Sequence, residues 1–260
     1  MRSDRVLFLD IDGVLLSGRA WLLPTNQRLQ AMIRAMSGRA ATMRLVAEAV
    51  FDPVAVELVN RVADATGARI VVSSSWRYTV GPEATRGKLL EQGLLEKLMH
   101  PDWACAPTGP GSNDKPRDIA RWLEDHPEVA DHLAIDDEPG LVPGRTLPVD
   151  PLDGLGPREA AAAVRYFEAQ DSGLGVGDLP VQDREMVVAA FGGDRVRAAM
   201  WLEGVQGKVP RRSRPSLALA GSGRRAVLAG LGPAAGLVGP RDGPGSGEMP
   251  FPPTAHPWCP

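Results

Sequence analysis

Two aspartates, Asp10 and Asp12, close an apolar run near the start of the chain, in "RVLFLDIDGVLL". Two more, Asp136 and Asp137, close another in "HLAIDDE". A carboxylate at the end of a buried strand needs compensation, because an unpaired charge in an apolar site is expensive. Several carboxylates brought together repel one another unless a cation joins them. Oxygen ligands of this kind suit a hard divalent ion, and a set with few carboxylates that keeps waters suits Mg²⁺ best. The acidic strand ends therefore predict a magnesium site. Three serines, Ser73 to Ser75, end a third apolar segment in "IVVSSSWR", and Lys115 opens the stretch "KPRDIARWL".

Each of these groups also has an ordinary structural reading. An Asp-x-Asp after a strand can be a turn closed by an Asx cap, the serines can cap the next turn, and Asp137 and Glu138 can be surface acids ahead of Pro139. Lys115 stands in the first turn of an expected helix, where a cation opposes the helix dipole, so its placement favours a functional role over a solvated lysine. The planar fork of Arg77 suits a substrate phosphate; the alternative is an arginine paired with a core acid. Trp76 is read as buried in preference to stacking on a base. His100, His126, His132 and His256 show no ligand spacing and are read as structural or surface residues.

The elements that must hold these residues follow from short apolar runs alternating with helical patterns, the signature of a parallel α/β sheet. Strands are expected at 5–10, 68–73, about 103–106, 132–136 and 145–149. In "DPVAVELVNRVADATG", Asp52 is placed to cap a helix, Pro53 to open it and Gly67 to stop it. Further helices are expected near 83–92, at 115–125 and from Pro157. An insertion between Leu15 and Phe51 holds two helical stretches, roughly 26–36 and 40–49. The carboxyl ends of the strands, where open α/β sheets form their clefts, carry Asp10, Asp12, Ser73, Asp136 and Asp137. Gly13 fits a chain that leaves its strand sharply while the backbone stays near a ligand, where a Cβ would obstruct.

Composition sets the wider frame. With 43% hydrophobic and 23% charged residues in 260, the chain reads as globular rather than fibrous or membrane-embedded. Residues 1–205 carry 22 basic and 30 acidic side chains and the remainder 7 and 2, so a body of net −8 bears a tail of net +5. Residues 207–260 include 10 Gly and 10 Pro, too little apolar surface to offset the entropy of ordering, and disorder is expected there. The strand-like "LALAGSGRRAVLAG" within it lacks the second strand a dinucleotide site requires. Residues 178–205 suggest two short helices docking on the body, within an appendage at 171–206. Cys105 and Cys259 form no CxxC pair, and neither a signal-peptide pattern nor an apolar run of about 20 residues occurs. A cytoplasmic protein without membrane contact is expected; oligomeric state is not encoded.

The segments "VLFLDIDGVL", "IVVSSSWR", "NDKPRDIARWL" and "LAIDDE" resemble, in order, the four motifs of the haloacid dehalogenase (HAD) superfamily over residues 5–170, and "SSSWR" is similar to the subset found with RNA-repair proteins. The resemblance implies a Rossmann-like, doubly wound α/β domain at 1–170 with a small helical cap insertion at about 17–50. It makes Asp10 a nucleophile forming an aspartyl phosphate, and Asp12 the general acid and base that separates phosphohydrolases from dehalogenases. Ser73, with Ser74 as the alternative, would bind a phosphoryl oxygen. Lys115 would neutralise the nucleophile and the transferring group. Asp136 would ligate Mg²⁺ along with Asp10 and Asp12, with Asp137 assisting. The implied activity is a Mg²⁺-dependent phosphomonoesterase acting on a small molecule or a nucleic-acid terminus. A nucleic-acid end-processing enzyme and a non-catalytic binding module are the alternatives, and the acidic body weighs against nucleic acid.

Overall fold

A computed structural model describes residues 4–109, 114–171 and 187–202. The expected disordered tail, and the beginning of the first appended helix, fall outside those residues. Five parallel strands form one sheet: β1 (Asp4–Leu9), β2 (Arg69–Val72), β3 (Met99–Ala104), β4 (Val129–Asp136) and β5 (Thr146–Pro148), in the order β3-β2-β1-β4-β5. The most apolar segment takes the centre, since a parallel strand covered on both faces must be apolar throughout. Alternation along it separates the two faces. Leu7 and Leu9 join Ile70, Val72, Leu133 and Ile135 in one core cluster, while Val6 and Phe8 join Val71 and Ala134 in the other.

The chain order and the register set the cleft. β1 lies between β2 and β4, pairing Leu9 with both Val72 and Ile135. The next residue of each strand is therefore level with its neighbours: Ser73, Asp10 and Asp136. Backbone bonds continue the ladder through this row, from Asp10 N–H to the Ile135 carbonyl at 3.1 Å and from Ser73 N–H to the Leu9 carbonyl at 2.9 Å.

Helices cover both faces. α1 (Pro24–Ile33) and α2 (Gly38–Glu48) form the small insertion. Its two stalks are joined by buried Asn26, whose amide donates to the carbonyls of Ala20 and Val50 at 2.8 and 2.7 Å and accepts from Val50 N–H at 2.8 Å. α3 (Pro53–Thr66) begins as the sequence dictates: Asp52 accepts from Val54 N–H at 2.9 Å, Pro53 opens the helix and Gly67 ends it at φ 68°. Its Val56, Val59 and Val62 are buried, worth about 2 kcal/mol each. α4 (Trp76–Thr79) and α5 (Pro82–Glu91) follow β2. On the opposite face α6 (Lys115–Asp125) sets Ile119 and Trp122 against Phe8 and Val71. α7 (Pro157–Asp171) packs on α3, and α8 (Arg195–Leu202) packs on α7 through Val196 and Met200. Residues 187–190 form a helical turn.

β3 starts four residues before the sequence suggests. Pro101 and Asp102 argue against a strand, but β3 is at the sheet edge, where a missing N–H leaves no ladder bond unmade. Among the described residues, no helix is long and apolar enough to cross a membrane.

Candidate active site

Asp10, the first residue beyond β1, is 2% exposed. Its Oδ1 accepts from Ile11 N–H at 2.8 Å and its Oδ2 from the Lys115 ammonium at 2.6 Å. Lys115 comes from α6, whose start is fixed by Asp114 accepting from Arg117 N–H at 3.2 Å. The same ammonium reaches Asp136 at 3.2 Å to Oδ1 and 3.0 Å to Oδ2. Asp136 is fully buried, and its Oδ1 also accepts from Glu138 N–H at 2.9 Å. Burial alone would lower the lysine's proton affinity, but the two carboxylates outweigh it and hold the ammonium above its ordinary value. Burial, then the charge of Asp10, pushes the Asp136 carboxyl up to about 7 against the pull of Lys115.

The Lys115 ammonium pairs with both Asp10 and Asp136. Oxygens of Asp10, Asp136 and Asp137 lie within 4.8 Å of one another, an all-oxygen donor set of the kind that hard divalent ions take. The residues fit Mg²⁺. Asp137 also explains Gly13, whose φ is +73°. A Cβ there would meet the Asp137 Cγ at 2.6 Å, so this carboxylate excludes a side chain.

Asp12 departs from the expected metal group. Its carboxylate turns to Trp76, whose indole N–H donates to Oδ2 at 3.0 Å. Burial and the neighbouring Asp10 charge push the Asp12 carboxyl up to about 7, opposed by the Trp76 bond and by Lys115. A carboxyl in that range is protonated often enough near neutrality to act as an acid, and its anion can act as a base. Trp76 is buried, as expected, with its ring 5.6 Å from Phe51 at the base of the insertion. Its link to Asp12 escaped the sequence reading, for nothing in sequence signals a contact across 64 positions.

The serines separate by environment. Ser74 Oγ faces Trp76 N–H at 3.4 Å, the capping alternative. Ser73 is 1% exposed, and its hydroxyl has no hydrogen-bond partner among the described residues. A buried hydroxyl left unmatched costs about 1–3 kcal/mol, which a bound oxyanion would recover.

Arg77 is a correction. Its side chain is 2% exposed and does not line the cleft as a substrate contact. Nε donates to the Ser74 carbonyl and Nη2 to the Ser73 carbonyl, both at 2.7 Å, and Nη1 donates to the Cys105 carbonyl. Nη2 also lies 3.4 Å from Asp118 on α6, whose other oxygen accepts from Thr108 N–H at 2.9 Å. The core-acid alternative is the one observed. Arg77 binds the serine turn, the end of β3 and the Lys115 helix into one unit, and burial lowers its proton affinity.

A scan against protein-family models matches residues 6–160 to the HAD domain in Swiss Army Knife RNA repair proteins. No curated protein and no solved structure matches the chain. With more than half the chain matched, and a five-stranded parallel sheet presenting aspartates, serine and lysine at its carboxyl edge, the chain belongs to this family of HAD domains.

Proposed function

We propose that the protein is a Mg²⁺-dependent phosphomonoesterase that works through an aspartyl-phosphate intermediate. The observation that carries this reading is the Lys115 ammonium held between Asp10 and Asp136. A cation in that position steadies an ionised Asp10 and then the charge of a phosphoryl group arriving beside it. Mg²⁺ held by Asp10, Asp136 and Asp137 would add charge neutralisation on the phosphoryl oxygens.

Asp10 attacks phosphorus, a carboxylate oxygen–phosphorus bond forms as the ester P–O bond breaks, and Asp12 gives its proton to the departing oxygen. Asp12, now a base, takes a proton from water as that water attacks the aspartyl phosphate, releasing inorganic phosphate and restoring Asp10. The Ser73 hydroxyl donates to a phosphoryl oxygen through both halves. Trp76 holds Asp12 in place for the two proton transfers.

A nucleic-acid terminus is the second reading, favoured by the RNA-repair description of the matched family and by an insertion of only two short helices. The test is hydrolysis of an aryl phosphate and of 3′- and 5′-phosphorylated oligoribonucleotides, with and without Mg²⁺. Turnover that needs Mg²⁺ and falls on the order of 10⁴-fold or more in Asp10→Asn is expected; equal rates in that variant would end the proposal.

A further inference from the structure

We propose that His100, His126 and Glu128 bind a borderline-soft divalent ion such as Zn²⁺ at a site separate from the cleft. The fold brings them together from three elements. His100 is the second residue of β3, His126 caps the carboxyl end of α6, and Glu128 immediately precedes β4. One ligating atom from each lies within 4.8 Å of the others. α6 carries Lys115 at one end and His126 just past the other, and 11 residues span about 16 Å, so the two sites sit at opposite ends of one helix.

The donor chemistry differs from that of the cleft. Two imidazoles and a carboxylate suit Zn²⁺, Co²⁺, Ni²⁺ or Cu²⁺ and are poor ligands for Mg²⁺. The His126 ring is also held as metal-ligating histidines usually are, with the second ring nitrogen tied to a backbone carbonyl. His126 Nδ1 lies 2.8 Å from the Trp122 carbonyl, which makes it the protonated nitrogen and leaves Nε2 with its lone pair. His100 Nδ1 accepts from Asp102 N–H at 3.1 Å, with the Asp102 carbonyl at the same distance; ligation through Nε2 requires the ring proton to sit on Nδ1, facing that carbonyl.

Aromatic packing accounts for the ring planes, since His126 stacks on Trp122 at 3.8 Å and 12° and His100 meets His126 edge-on at 5.1 Å. Packing does not account for the acids. Glu128 converges on the pair, and Asp102 Oδ2 stands 3.5 Å from His126 Nε2, so a cation here would meet two carboxylates already close by.

The test is titration of the full chain with Zn²⁺ in excess Mg²⁺, which fills the harder cleft, followed by Co²⁺ substitution and its visible absorption. One equivalent of Zn²⁺ is expected, with Co²⁺ showing a low-coordinate spectrum. Loss of a second-sphere partner weakens metal binding 10–100-fold, so loss of a ligand in His100→Gln, His126→Gln or Glu128→Gln should weaken it about 100-fold or more. Zn²⁺ uptake that is absent in the wild type, or equal in wild type and Glu128→Gln, overturns the proposal. Glu128 is exposed, so that variant decides the matter where a histidine variant loses its fold, with circular dichroism as the check. Phosphatase turnover plays no part in this readout, so its absence would bear on the cleft alone.

Discussion

The two ends of the central strands handle buried charge in opposite ways. At the carboxyl end, Asp10 and Asp136 hold the Lys115 ammonium with Asp137 beside them, and the Ser73 hydroxyl has no hydrogen-bond partner among the described residues. Toward the amino end of β4, one buried acid, Asp131, meets Arg145 and the Tyr166 hydroxyl through Oδ1 and Arg195 at 3.8 Å through Oδ2. Tyr166 accepts from Arg145 at 2.9 Å, and Arg195 lies over its ring at 4.6 Å. The second group sets two guanidiniums on one acid and joins β4, α7 and α8, so it is closed by ion pairs, although Asp131 Oδ2 has no hydrogen-bond partner among the described residues. The first sets the Lys115 ammonium and three acids together at the cleft, where a bound cation and an anionic substrate would add to the group.

The largest test of this contrast is Lys115→Met. Removing the cation held by Asp10 and Asp136 should lower turnover about 10²–10³-fold, the loss typical of a positioned charge-stabilising group. It should also lower the thermal midpoint, because breaking a buried ion pair leaves uncompensated charge, and excess Mg²⁺ should restore much of that loss. A midpoint indifferent to both the substitution and Mg²⁺ would mean that the cleft acids do not depend on a cation for stability.

Trp76→Phe is expected to be gentler. Phenylalanine keeps the contact with Phe51 but loses the N–H that Asp12 accepts. A bond to a charged group is worth about 1.5 kcal/mol or somewhat more, so kcat should fall about 10-fold with KM little changed. A rise in KM at constant kcat would show that the indole holds substrate instead of Asp12.

Much of this end was legible in sequence because strand ends are. An apolar run that stops at Asp10 fixes both the strand and the residue that leaves it, and Asp52, Pro53 and Gly67 mark both ends of α3 by local chemistry alone. The parallel sheet and its helices followed from the same local signals. What stayed hidden depended on encounters between distant segments. Arg77 has the same fork whether it meets phosphate or carbonyl groups, and only the turn of Ser73 and Ser74 under α4 decides. Asp12 was expected at the metal with the other strand-end acids, and its bond to Trp76 of α4 depends on a meeting of distant segments. His100 and His126 lack ligand spacing in the chain and acquire it only when α6 folds back over the sheet.

Asp131→Asn probes the closed end. Asp131 is 4% exposed, and neutralising it weakens its pairing with two guanidiniums, which should lower unfolding free energy by about 2 kcal/mol in denaturant titration. Turnover should stay within two-fold, about the scatter of such assays. A large loss of turnover at preserved stability would contradict the separation of the two ends.

A pH dependence of opposite sign is expected at the two ends. Burial, and then Arg145, lowers the His132 imidazole from 6.5 to about 4. Between those values the unfolded chain binds a proton that the folded chain refuses, so stability falls as pH drops through that window. The cleft acids do the reverse: with Asp12 and Asp136 near 7 in the folded state and 3.8 as the ordinary value, the folded chain holds the extra protons, and stability falls as pH rises from about 4 to 7. His132→Gln should remove the low-pH loss, about 2 kcal/mol after allowing for partial exposure, and leave the rising-pH loss in place. Mg²⁺ should flatten only the latter, since a cation at the cleft stabilises the ionised acids. Denaturant titrations of wild type and His132→Gln at several pH values, with and without Mg²⁺, separate the two slopes; a slope that Mg²⁺ removes from both windows would place both groups at one site.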